Sequence, residues 1–138
     1  MVVIRLCKYK ILLVDDYPPV RRIVREIIEA QLDLQVVGEF NDGLELLKHL
    51  KSEPAHLILM DISMPNLGGF EATLRIKENY PGVKVLILTM HKSKTYLERA
   101  MALGAEGYLL KEEMDEQLLS AINSLRRGET FISPRLSI

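Results

Sequence analysis

The chain has 138 residues, 48% of them hydrophobic, enough for one sizeable core and too few for two comfortable domains. Its 18 Lys and Arg against 19 Asp and Glu give a formal charge of −1, which leaves no basic surplus for holding a nucleic-acid backbone by counterion release. The single cysteine, Cys7, excludes an internal disulfide; it reads as a structural residue near a strand start in a reduced, cytoplasmic compartment.

Met1, Val2, Val3 and Ile4 are apolar, but Arg5 cuts the run too early for a signal-peptide core, and no later stretch approaches a membrane span. The expectation is a soluble chain that is not exported. Apolar runs then alternate with stretches of helical period, the pattern of strand-helix units and a parallel sheet. Five units fit.

Residues 11–14 form the first strand, followed by Asp15 and Asp16. Pro18 and Pro19 suit the first turn of a helix, where a missing amide hydrogen costs nothing. Val20, Ile23, Val24, Ile27 and Ile28 are spaced along one face of it, with Arg21, Arg22, Arg25, Glu26 and Glu29 on the other. Residues 34–37 make a second strand, and Asn41 or Asp42 can cap a helix carrying Leu44, Leu47 and Leu50. The third strand, residues 57–60, ends at Asp61. Ser63, Met64, Pro65, Asn66, Leu67, Gly68 and Gly69 are dense in turn residues and predict a loop, before a helix from about residue 70 to 79 closed by Pro81 and Gly82.

Residues 83–88 form the fourth strand, ahead of Thr89. A helix with Leu97, Ala100, Met101 and Leu103 on its buried face stops at Gly104. Residues 107–110 form the fifth strand, ahead of Lys111. The last helix buries Leu118, Leu119, Ile122 and Leu125, and places Arg126 and Arg127 in its final turn before Gly128 ends it. Residues 1–128 are one domain on this reading, and residues 129–138 the start of a linker. No internal repeat or low-complexity segment is present.

The polar residues after these runs carry the chemistry. Strands that are apolar throughout are buried on both faces, and in a parallel sheet their carboxyl ends converge on the edge where ligands bind. Asp15, Asp16, Asp61, Thr89 and Lys111 are expected to meet there, as a site for a divalent cation and a phosphoryl group. Taken singly each has a plainer reading: a cap, a turn residue, a strand-end hydroxyl, a solvated charge. Order and spacing together overturn those readings. His91 is far in sequence from His49 and His56 and has no ligand spacing, so it reads as a surface or loop histidine.

These residues resemble the receiver domain of two-component response regulators, the CheY-like fold, over roughly residues 8 to 127. The resemblance rests on the acidic pair, the lone Asp61, Met64-Pro65 with Gly68-Gly69, Thr89, and Tyr108-Leu109-Leu110-Lys111. Within that family the chain is most similar to the NarL/FixJ/LuxR type, through Thr89-Met90-His91, the stretch from Gly104 to Lys111, and that from Gly128 to Pro134. The fold this implies is α/β, a doubly wound five-stranded parallel sheet of flavodoxin-like strand order 2-1-3-4-5 with helices on both faces. The resemblance also implies a helix-turn-helix output domain beyond the linker. The chain is expected to stop short of it, so that DNA is met only through a domain absent here.

In function, the resemblance implies that Asp61 accepts a phosphoryl group from the histidine of a sensor kinase. Mg²⁺ (or Mn²⁺) would be held by Asp16, Asp61 and the backbone carbonyl of Ser63, with Asp15 acting through water and the Ser63 side chain facing the reacting group. Such a hard cation suits an all-oxygen donor set at a solvent-facing edge. Lys111 and Thr89 would bind the phosphoryl oxygens, and Tyr108 would reorient as Thr89 moves, changing a surface that controls homodimerisation or the output domain. The chain is then a switch in transcription regulation, not an enzyme, with no membrane partner. Glu112 stands where many receivers have proline, and Tyr17 is bulky beside the acidic pair.

Three other readings can be weighed. A haloacid-dehalogenase type phosphatase needs an Asp two residues after its nucleophile, but those positions are Tyr17 and Ser63. A receiver without an output domain fits poorly with the linker-like tail. A phosphorylation-independent receiver fits poorly with an intact acid, hydroxyl and ammonium set.

Overall fold

The computed structural model describes residues 7–136; the opening Met1, Val2, Val3, Ile4 and Arg5 lie outside it. In chain order the elements are β1 (Tyr9–Val14), α1 (Pro18–Glu29), β2 (Leu34–Phe40), α2 (Gly43–Leu50), β3 (Leu57–Met60), α3 (Gly69–Asn79), β4 (Lys84–Thr89), α4 (Lys94–Ala102), β5 (Gly107–Leu110), α5 (Met114–Arg126) and β6 (Phe131–Ile132). The strands lie in one sheet of order β2-β1-β3-β4-β5-β6, with every pairing parallel.

The sheet therefore has six strands and not the five expected. Phe131 pairs with Gly107 and Ile132 with Tyr108, so part of the stretch after Gly128 joins the sheet. A two-residue strand with no run of its own leaves no periodic signal to read.

Successive side chains of each strand point to opposite faces, which splits the core into two layers. Leu12, Val14, Ile58, Met60, Val85 and Ile87 pack under α2, α3 and α4 with Leu46, Ile76 and Ala100. Ile11, Leu13, Leu57, Leu59, Leu86 and Leu88 pack under α1 and α5 with Val24, Ile28, Leu118, Ile122 and Leu125. Both faces being covered explains why the strands read as unbroken apolar runs.

Local details differ from the sequence reading where a helix faces the sheet with a narrower stripe than its apolar content offers. On α1, Val24 and Ile28 are buried, but Ile23 is 41% exposed. On α2, Leu46 and Leu50, one turn apart, are the buried pair, and Leu44 is 41% exposed. Of the two candidate caps, Asp42 takes the position and accepts a hydrogen bond from the Glu45 amide at 3.0 Å.

β2 runs three residues past the predicted end, through Phe40. The pairing of β1 with β2 shifts between Ile11–Val36 and Leu12–Gly38, leaving Val37 as the extra residue of a bulge. Glu39 then meets Arg21 at 3.2 Å and Arg25 at 2.6 Å, tying α1 to β2. Cys7 is exposed just ahead of β1. Among the described residues no helix is long and apolar enough to cross a membrane.

Candidate functional site

The carboxyl ends of β1 and β3 lie side by side at the centre of the sheet, Val14 paired with Met60. Each strand therefore delivers its next residue to the same place. Asp15 follows β1 and Asp61 follows β3; both are buried, while Asp16 beside them is exposed. Asp15, Asp16 and Asp61 each offer a carboxylate oxygen, and these oxygens all lie within 4.8 Å of one another.

Backbone bonds fix the two buried acids. The Asp15 amide donates to the Phe40 carbonyl at 3.0 Å, and the Asp61 amide to the Val14 carbonyl at 3.0 Å. Asp15 Oδ1 accepts from the Tyr17 amide at 2.9 Å, and Asp61 Oδ1 from the Ile62 amide at 2.7 Å. Arg21 donates to the Asp15 carbonyl and to Asn41 Oδ1. Below Asp61 the chain turns into α3 with no room to spare. The Gly69 amide donates to the Ile62 carbonyl at 2.9 Å, and a Cβ on Gly69 would run into the Asp61 carbonyl oxygen and sit 2.9 Å from Ile62 Cα.

Lys111 follows β5 and reaches across the sheet edge to both acids, with Nζ 2.7 Å from Asp15 Oδ2 and 3.1 Å from Asp61 Oδ2. Burial alone would lower the Lys111 ammonium, but the bond to Asp15 and the charges of Asp61 and Asp15 hold it above its ordinary value. Burial pushes the Asp15 carboxyl up, against the opposing pull of Lys111 and the Tyr17 amide. Three carboxylates around one ammonium leave uncompensated negative charge and free oxygen lone pairs. That donor set fits a hard divalent cation.

Thr89 is the last residue of β4, next to Leu110 of β5, and is fully buried. Its Oγ1 accepts from the His91 amide at 3.3 Å, a bond inside its own loop. The Ser63 hydroxyl, expected to face the reacting group, lies 3.0 Å from His91 Nε2 and joins the loop after β3 to the loop after β4. Tyr108 is fully buried, and its hydroxyl donates to the His91 carbonyl at 2.6 Å. Burial, with lesser contributions from Tyr96 and Asp61, pushes that phenol up to about 12, so it stays a donor.

The structure thus gathers Asp15, Asp16, Asp61 and Lys111 into one cluster and sets Thr89, Ser63 and Tyr108 around the adjoining loop, with His91 at their junction. From sequence His91 reads only as a surface or loop histidine, and it does lie in the loop after β4, while Arg21 reads only as part of the polar face of α1. Their roles depend on contacts 28 and 20 residues away, to Ser63 and Asn41, which no local pattern announces. The Lys111–Glu112 peptide opens a 3-10 turn and is trans.

A family model described as the response regulator receiver domain matches residues 11–123. The oxygen regulatory protein NreC of Staphylococcus carnosus is 39% identical over 129 residues, covering 93% of this chain and 59% of that protein. The chain spans about three-fifths of the length of such curated relatives. Among solved structures, a LuxR-family two-component response regulator from Aurantimonas sp. SI85-9A1 superposes with a TM-score of 0.90 at 32% identity, over 94% of this chain and 93% of that one. RcsB of Salmonella enterica serovar Typhimurium, solved on promoter P1flhDC with the phosphomimetic BeF3−, superposes with a TM-score of 0.87 at 29% identity, over 94% of this chain and 65% of that one.

Proposed function

The chain belongs to the response regulator receiver domain family, in its NarL/LuxR branch, and from that premise we propose that Asp61 is the phosphoacceptor of a switch driven by a sensor histidine kinase. Receivers of this kind are signalling proteins and not enzymes, are phosphorylated by histidine kinases, and hold Mg²⁺ through an acidic cluster. The observation that carries the reading is the Lys111 ammonium shared by Asp15 and Asp61, beside the open carboxylate of Asp16.

In the transfer, a carboxylate oxygen of Asp61 attacks the phosphorus of a phosphohistidine; the P–N bond breaks, the imidazole leaves, and an acyl phosphate forms. Asp16, Asp61 and the Ser63 carbonyl would hold Mg²⁺ or Mn²⁺ directly, and Asp15 would act through water. Such a cation, when bound, shares the negative charge of the phosphoryl oxygens. Lys111 supplies the second positive charge. As a compact ammonium on a mobile stem it can transfer its contact from the Asp61 carboxylate to a phosphoryl oxygen.

Thr89 would donate a hydrogen bond from its hydroxyl to another phosphoryl oxygen. Its movement would disturb the bond to His91 and with it the Tyr108 hydroxyl on the His91 carbonyl. The surface of α4, β5 and α5 would then report the state of Asp61. The output we assign is homodimerisation and, through a helix-turn-helix domain beyond residues 129–138, DNA binding in transcription regulation in the cytoplasm.

The test is intact mass after incubation with acetyl phosphate and Mg²⁺. One phosphoryl adduct is expected on the wild type and none on Asp61→Asn or in EDTA. An adduct that persists in Asp61→Asn would sink the assignment.

A further inference from the structure

The turn that carries Lys111 is fastened from the far end of the chain, and we propose that Ser133 and Glu113 are positioning residues for Lys111. This rests on the Asp61 reading, because it concerns the support of that site.

Lys111 opens the 3-10 turn Lys111–Glu113, and the family's frequent proline, which would fix φ just after the lysine, is Glu112 here. The turn must be shaped by something else. Ser133 is fully buried, Glu113 is buried at 7% exposure, and the two meet beneath the turn. The Ser133 hydroxyl accepts from the Leu110 amide at 3.1 Å and donates to Glu113 Oε1 at 2.6 Å. A hydroxyl has one proton and two lone pairs, so a single oxygen serves both bonds. It thereby grips the residue before Lys111 and the residue two after it.

The grip is itself anchored. The Ser133 amide donates to the Tyr108 carbonyl at 2.9 Å, extending the β5–β6 pairing. Glu113 Oε1 also accepts from the Arg135 amide at 3.3 Å, and Leu136 packs into the same core layer as Tyr108 and Leu110. Residues 131–136 therefore support the phosphoryl site, although a boundary drawn after Gly128 would cut them away. Removing the hydroxyl leaves a buried amide and a buried carboxylate each short of a partner.

The experiment compares the 138-residue chain with Ser133→Ala, Ser133→Thr, Glu113→Gln and a chain ending at Gly128. It reads the rate of adduct formation with acetyl phosphate and Mg²⁺, and the exchange rates of backbone amides by NMR. Expected is about tenfold faster exchange at Leu110 in Ser133→Ala, the size of one buried hydrogen bond, with a comparable drop in the rate of adduct formation. Ser133→Thr and Glu113→Gln keep a hydroxyl and an acceptor and should stay within about twofold of wild type. The truncated chain should behave at least as badly as Ser133→Ala.

Wild-type Leu110 exchange and wild-type adduct formation in Ser133→Ala would overturn the proposal. So would exchange that rises evenly over the whole sheet, which marks general loosening. If the wild type takes no adduct, the Asp61 reading fails by itself, and the exchange pattern at residues 110–113 alone decides for or against the grip.

Discussion

On the β1 and β3 side of the site, Asp15 and Asp61 are bonded through both main chain and side chain, and α3 is seated against the Asp61 carbonyl at a residue without a Cβ. On the β4 and β5 side, the Thr89 hydroxyl has a 3.3 Å bond within its own loop, Tyr108 donates to that loop's backbone, and Met90 in it is 75% exposed. One half is built to stay where it is while charge arrives. On the other side the loop after β4, unlike the fastened turn that carries Lys111, is held by a few bonds that the proposed phosphoryl group would be able to replace. Two-state switching needs this inequality, because a site loose on both sides would absorb the new charge locally and transmit nothing.

The largest break in the contrast should come from Gly69→Ala. A methyl group there must displace the Asp61 carbonyl, which is backbone and cannot rotate away. We expect a loss of about 3 kcal/mol, at the upper end for overpacking, with adduct formation lost alongside. Urea unfolding checks it, and wild-type stability in the variant would mean that the β3 side is softer than its geometry states.

A smaller change on the opposite side sharpens the comparison. Tyr108→Phe leaves the His91 carbonyl without its donor, at a cost of about 1.5 kcal/mol. Sedimentation with acetyl phosphate and Mg²⁺ should show the proposed phosphorylation-dependent association weakened more than the rate of adduct formation. Equal losses would place Tyr108 with the receiving half.

The smallest effect belongs to Asp42, which caps α2 and accepts from Asn66 Nδ2 at 2.6 Å beside the loop after β3. The Glu45 amide first, and then Asn66, hold its carboxyl below the ordinary carboxylate value. A carboxyl lowered in the folded state stabilises above its unfolded value, and that contribution fades as pH falls through the folded one. Asp42→Ala should cost about 1 kcal/mol at neutral pH. The melting-temperature gap between it and wild type should close in acid, and a gap independent of pH would refute the charged cap.

The central strands and the cluster of Asp15, Asp61 and Lys111 were legible because parallel strands buried on both faces print themselves as apolar runs, and the first residue after each is pointed at one edge. Helix faces were less so. Apolar residues such as Ile23 and Leu44 satisfy the period yet fall outside the narrow stripe that a flat sheet can cover. β6 was read as linker, since Phe131 and Ile132 owe their conformation to the open edge of β5 and not to any pattern of their own. The bond of Ser133 to Glu113 spans 20 residues and has no local signature at all.

The bulge at Val37 and the brevity of β6 have one consequence in common. Both strands form the margins of the sheet, where unpaired amides and carbonyls invite a second molecule to add a strand and begin a fibre. At one margin the bulge breaks the even ladder and turns Glu39 towards two arginines. At the other, pairing ends with the Ser133 amide on the Tyr108 carbonyl, and the next residue, Pro134, has no amide to offer. If the chain associates through its surface on phosphorylation, as proposed, these margins would keep it from associating through its backbone instead.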